Sequence, residues 1–223
     1  MLVDGSTTGT LLSNSLGIDF SLPANSNVYT VSPATSFDER NVRDDRQNTQ
    51  TFQVGTTFTL DSIYLEYQSP GTYADGDIIL SIYNVDDVNA ATLTLGSLVV
   101  SGTFTSDATT RAAAGFTSDG GATSLLQFTF TGADQVSIPA TSGTAGYAIQ
   151  FTTTAGTNPV FTWERAGGDL YAGGSSYESG TINTGLDYSL AFAAAVPEPG
   201  TVALVTVGLF GALCITRRRR ALA

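Results

Sequence analysis

Trp163-Glu164-Arg165, followed by Asp169, Tyr171 and Tyr177 in a glycine-rich stretch, brings together the groups that recognise sugars. Aromatic faces stack on the apolar faces of sugar rings, while Asp, Glu and Arg hydrogen-bond to hydroxyls. Trp163, Arg165, Asp169, Tyr171 and Tyr177 are therefore candidate sugar-binding residues. The competing expectation for a lone tryptophan in a strand is a core position, because its ring buries a large apolar area. A second chemistry lies in Asp75-Gly-Asp77 and Asp86-Asp87, carboxylates of the kind that hold Ca²⁺. They flank one expected strand, Ile78 to Val85, and so stand at its opposite ends, unable to share an ion. The EF-hand pattern of alternating acids with a closing Glu is missing. Ordinary turn aspartates, bonding nearby backbone N–H groups, are the alternative. No cofactor is expected apart from a structural Ca²⁺ at such a site.

Phe37 to Arg46 packs Asp38, Glu39, Asp44 and Asp45 among Arg40, Arg43 and Arg46. A carboxylate pair there offers another oxygen site for Ca²⁺. The alternative is a solvated loop whose arginines bridge to acids on a sheet edge. Glycoside hydrolysis by two carboxylates needs only Asp or Glu. Glu66, Glu164 and Glu178 are available, but nothing in their spacing pairs them, and no enzymatic activity is expected. Histidine is absent, which removes the usual imidazole base of Ser-His-Asp catalysis and the commonest zinc ligand. The net charge is −11, and outside the tail only Arg40, Arg43, Arg46, Arg111 and Arg165 oppose the acids. Such a surface repels nucleic acid, which is excluded as a partner.

The elements that must position these residues are strands. Residues 1–195 have the length of one domain, written in Thr, Ser, Gly, Val, Leu, Phe and Tyr with short alternating runs. Strands are expected within Thr51 to Gln68, with a turn at Gly55-Thr56-Thr57, and over Asp77 to Val85, Leu93 to Phe104 and Ser124 to Thr131. Gly146 to Thr154, Pro159 to Arg165 and Asp187 to Ala195 complete the set. Turn signals such as Asp75-Gly76 and Ser118-Asp-Gly-Gly121 separate them. The fold class is all-β, an antiparallel β-sandwich of jelly-roll type, with one helix expected at the C-terminus.

That helix belongs to residues 196–223. Val196-Pro-Glu-Pro-Gly200 is followed by an uncharged, mostly apolar run over 201–216 and then by Arg217, Arg218, Arg219 and Arg220. Such a run, at ~1.5 Å rise per residue, is about the minimum for crossing a ~30 Å hydrocarbon core. Four arginines stop transfer and are expected to hold their end in the cytoplasm before processing. Pro197-Glu198-Pro199 is extended and incompatible with a helix, which suits a protease that takes strand-like substrate.

This order of Pro-Glu-Pro, hydrophobic span and basic cluster resembles the PEP-CTERM sorting signal of bacterial exported proteins. The resemblance implies an exosortase-like protease as partner, cleavage near Pro197, Glu198 and Pro199, and residence at the cell envelope, the surface or outside the cell. Export also requires an N-terminal signal peptide, yet Met1-Leu-Val-Asp-Gly5 opens with no basic or apolar region. The expectation is that the true start lies upstream; the alternative is a copy that is not exported. Arg46 to Phe52 before Phe58 to Ile63, and Tyr171 to Tyr177 ahead of Asp187 to Phe192, resemble more loosely the β-sandwich "choice-of-anchor" domains that precede such tails. Together these imply a structural or adhesive role in extracellular matrix or surface polysaccharide. A carbohydrate-binding module, with or without Ca²⁺, is the alternative, and a glycoside hydrolase the third.

Overall fold

The computed structural model describes residues 37–43, 45–68, 74–109, 124–130, 132–156, 159–167 and 173–194. Pro197, Glu198, Pro199, the span 201–216, the arginines 217–220, Asp169 and Tyr171 lie outside them. Among the described residues no helix is long and apolar enough to cross a membrane.

Runs rich in Thr, Val, Ile and Phe favour the pleated, half-buried surface of a sheet. The first six strands are β1 (Phe37–Val42), β2 (Asn48–Phe52), β3 (Phe58–Gln68), β4 (Gly76–Val85), β5 (Leu98–Ser106) and β6 (Ser124–Thr129). A 3₁₀ turn at Gly132–Asp134 precedes β7 (Ser137–Ile138), β8 (Gly146–Thr153) and β9 (Phe161–Gly167). The chain then runs through β10 (Ser176–Glu178), β11 (Thr181–Asn183), β12 (Leu186–Tyr188) and β13 (Ala191–Ala194).

They form two antiparallel sheets. One has the order β1-β9-β3-β13, with β6 and β7 also on β3 and β12 on β9; the other has the order β11-β10-β2-β8-β4-β5. The pairings nest: β4 with β5, β3 with β6, β2 with β8 and β1 with β9. The sheets face each other across one aromatic core. Phe52 of β2 meets Phe192 of β13 at 4.5 Å between ring centroids. Phe104 of β5 meets Phe128 of β6 at 4.5 Å, and Phe151 of β8 meets Trp163 of β9 at 4.9 Å. Gly146 opens β8 where a Cβ would run into the Phe52 carbonyl and the Val88 side chain, so only glycine lets these backbones approach.

The turn expected at residues 55–57 is present, and three other local expectations change. The turn at residues 55–57 joins β2 to β3, but the two do not form a hairpin: it carries the chain from one sheet to the other. The strand expected from Leu93 starts at Leu98, and the one from Asp187 to Ala195 is broken at Ser189 and Leu190 into β12 and β13. This break lets the last segment pair first with β9 and then with β3, where those two strands part. Finally, Phe37 to Val42 is a strand and not a loop, paired with β9 along its length.

Candidate functional site

Trp163 sits on β9 with its side chain fully buried. Tyr188 stacks on it at 4.2 Å and 21°, Phe151 meets it edge-on, and its Nε1–H donates to the Ser189 carbonyl at 2.8 Å. The ring thus fills the core and pins the corner between β12 and β13. Tyr177 on β10 is also fully buried. Its hydroxyl lies 2.7 Å from the Ala90 carbonyl and 3.1 Å from that of Val88, tying the turn after β4 down over the sheet. Burial first, and the nearby Asp87 carboxylate second, push its phenol up to about 12. Neither ring offers a face to a sugar at the surface. The core alternative therefore replaces the stacking role for Trp163, and the same burial removes it for Tyr177. Arg165 is buried as well and is not without a partner.

Asp75 and Asp77 lie at one end of β4, Asp86 and Asp87 just beyond the other. Asp77 Oδ1 accepts from Thr105 Oγ1 at 3.1 Å. Asp87 Oδ1 accepts from the Asn89 N–H at 2.9 Å, the local bond that makes aspartate common in turns. Among the described residues no three Asp, Glu or Cys side chains gather into a metal-holding group. In the charged segment, Arg43 Nε meets Asp45 at 2.8 Å and Arg46 Nε meets Glu178 of β10 at 2.9 Å. Of the glutamates considered for hydrolysis, Glu178 is thus held by Arg46 and Glu164 is buried. The side chain of Glu66 lies outside the described residues.

A buried polar link joins the two sheets. Gln50 of β2 donates from Nε2 to Asp187 Oδ1 at 3.1 Å and accepts at Oε1 from the Tyr188 N–H at 2.8 Å. Every residue of β2 is buried although four of the five are polar, so no alternation in the sequence marks it. Beside this link a cleft of about 220 Å³ opens between the turn at Asn89, the residues before β10, and the segment from Ile182 to Asp187. Ser175 Oγ donates to Asn89 Oδ1 at 2.8 Å on its wall, and the buried Asn183 Nδ2 has no hydrogen-bond partner. None of the residues named as sugar-binding or Ca²⁺ candidates lines this cleft.

Phe192, the last core-packed side chain among the described residues, also touches Phe58, and Ala194 pairs with Leu60. Residues 195–220, starting at the next position, match the PEP-CTERM protein-sorting motif. No curated protein matches the chain. That motif implies export to the cell envelope or surface and processing by exosortase.

Proposed function

From a chain that ends in a PEP-CTERM sorting motif, we infer a non-catalytic surface protein: a folded body, residues 1–195, carried to the envelope by its tail and set into extracellular matrix or surface polysaccharide. The body is a jelly roll in this reading. Its support is the nesting of β1 with β9, β2 with β8, β3 with β6 and β4 with β5, as in a long ribbon rolled into two sheets. Residues 201–216 cross the membrane while Arg217 to Arg220 stay in the cytoplasm, and cleavage near Pro197 to Gly200 releases or re-anchors the body. The role of the body is structural or adhesive, with no cofactor. The match over residues 195–220 carries this reading. Mass spectrometry of the mature protein from its native cells tests it. The expected C-terminus lies near Pro199, whereas an intact chain through Ala223 overturns cleavage and leaves a plain membrane anchor.

One observation favours a second reading, a glycan-binding body. The cleft is lined by Asn89, Ser175, Asn183 and Asp187, whose amide, hydroxyl and carboxylate groups are of the kinds that bond sugar hydroxyls. The cleft, rather than Trp163 and Tyr177, is then the binding surface. Retention of the body on a glycan array, lost in Asn183→Ala, is the expected result; no retained glycan removes the reading.

A further inference from the structure

We propose that one end of the sandwich, formed by the loops at residues 53–57, 86–90 and 139–145, is the surface that meets the processing protease. This rests on the reading that the tail is cut near Pro197. β13 leaves the sheet where Ala194 faces Leu60, two residues from the start of β3. The same end of β3 pairs with β7, and the chain beyond β7 is tied to the β2–β3 connection. Thr141 N–H donates to the Val54 carbonyl at 2.8 Å, and Ala140 N–H donates to Thr57 Oγ1 at 2.9 Å. The turn after β4 joins them through Val88 N–H to the Thr144 carbonyl at 3.0 Å.

Covalent geometry decides which surface the protease meets. From Ala194 to Pro197 the chain spans at most about 11 Å, and to Gly200 about 22 Å, at ~3.6 Å per residue. β4 has 10 residues and is roughly 30 Å long at ~3.3 Å per residue, so the far end of the body is out of reach while β13 stays paired. A protease gripping residues 197–200 therefore works against these loops. Apart from the Pro139 ring, their exposed side chains are small, polar or acidic, among them Thr56, Thr57, Asp86, Asp87, Ser142 and Thr144. No arginine occurs in the three loops, whereas the other end carries Arg43 and Arg46. The partner face that fits is protein, closely approaching, and uncharged or basic.

The test inserts a compact folded domain of about 100 residues at either end of the body in the full chain, expressed in the native cells. Inserted after Asp75, at the far end, it should leave the rate of tail removal as in the parent. Inserted after Ser142, it should slow removal about tenfold or more, through steric exclusion alone. A Gly/Ser segment of about 20 residues placed after Ala194, with a mean reach of ~25 Å, should restore the rate of the Ser142 insertion, which also shows that this body has folded. Parental cleavage of the Ser142 insertion overturns the proposal. So does a slow rate that the added segment fails to rescue, or equal slowing by the Asp75 insertion. A parent chain that is never cut refutes the sorting reading itself, and the docking surface falls with it.

Discussion

The tail and the body are informative in opposite ways. In the tail, Pro197, Glu198, Pro199 and Arg217 to Arg220 carry meaning through linear order alone, because a sorting signal is recognised as a short stretch of chain. In the body, residue types that suggested chemistry, Trp163, Arg165 and Tyr177, are interior; Trp163 packs against rings and donates to the distant Ser189 carbonyl, and Tyr177 donates to the distant Ala90 carbonyl. A linear motif needs no third dimension to act. A constellation does, and a polar or aromatic side chain in a thin sandwich is more often used to close the core than to face a ligand.

The comparison breaks most visibly at Trp163. Trp163→Ala removes the ring that contacts Tyr188 and Phe151 and leaves the Ser189 carbonyl without its donor. The expected loss is about 3–5 kcal/mol, a fifth or more of the total stability of an ordinary domain. Urea unfolding of the purified body measures it, with the midpoint falling at nearly unchanged slope. The tail sequence is untouched by this change, so a loss in the body with an intact motif separates folding from sorting. A loss below about 1 kcal/mol would contradict a core role.

Gln50→Leu comes next. It deletes the donor to Asp187 and the acceptor of the Tyr188 N–H while keeping the volume close to that of the amide. Two buried polar groups lose a partner, and about 1–3 kcal/mol should be lost in the same unfolding experiment. This site marks the limit of what the chain discloses before folding. The alternating runs around Ile63, Ile82, Phe128 and Ile149 show their inward faces directly, and each of these residues is buried. Asn48-Thr-Gln-Thr-Phe52 shows nothing of the kind, because both of its faces are covered, and Gln50 and Thr51 bond to segments far along the chain. β10 and β11 are likewise held by distant partners, Gln50 for Ser176 and Thr92 for Thr181, and their three-residue lengths are too short for a period to register. The break at Ser189 and Leu190 depends on the Trp163 indole reaching across from another strand.

Tyr177→Phe is a smaller perturbation with a distinctive pH signature. Losing the hydroxyl bonds to Ala90 and Val88 should cost about 1 kcal/mol near neutrality. Folding holds the phenol protonated by raising it to about 12 from its ordinary value of 10.0, chiefly through burial. The unfolded chain gives up that proton first, so it is the unfolded state that gains from alkali. The contribution is fully present below pH 10.0 and is lost as pH rises towards 12. Burial raises Tyr64 and Tyr147 too, so the variant should lose part of the alkaline decline of the parent and not all of it. Unfolding series at neutral and alkaline pH read this as a shallower slope. An unchanged slope would remove Tyr177 from the buried set.

The smallest effect is expected at Arg46, in the charged segment offered above as an oxygen site for Ca²⁺, and at its partner Glu178. Their side chains are 25% and 26% exposed, and the pair joins the turn after β1 to β10. Water and salt compete for both partners at such exposure, and a double-mutant cycle with Arg46→Ala and Glu178→Ala should give a coupling of about 0.2–1 kcal/mol. At ~1 M salt the screening length falls to ~3 Å, and the coupling should shrink further. Trp163→Ala should hardly respond to salt, because its cost is lost packing. A coupling well above ~1 kcal/mol that survives high salt would mean that Arg46 and Glu178 are held as a rigid, desolvated unit. The charged segment would then stand beside the core link at Gln50 in importance, and surface charge as well as the core would hold this corner of the sandwich.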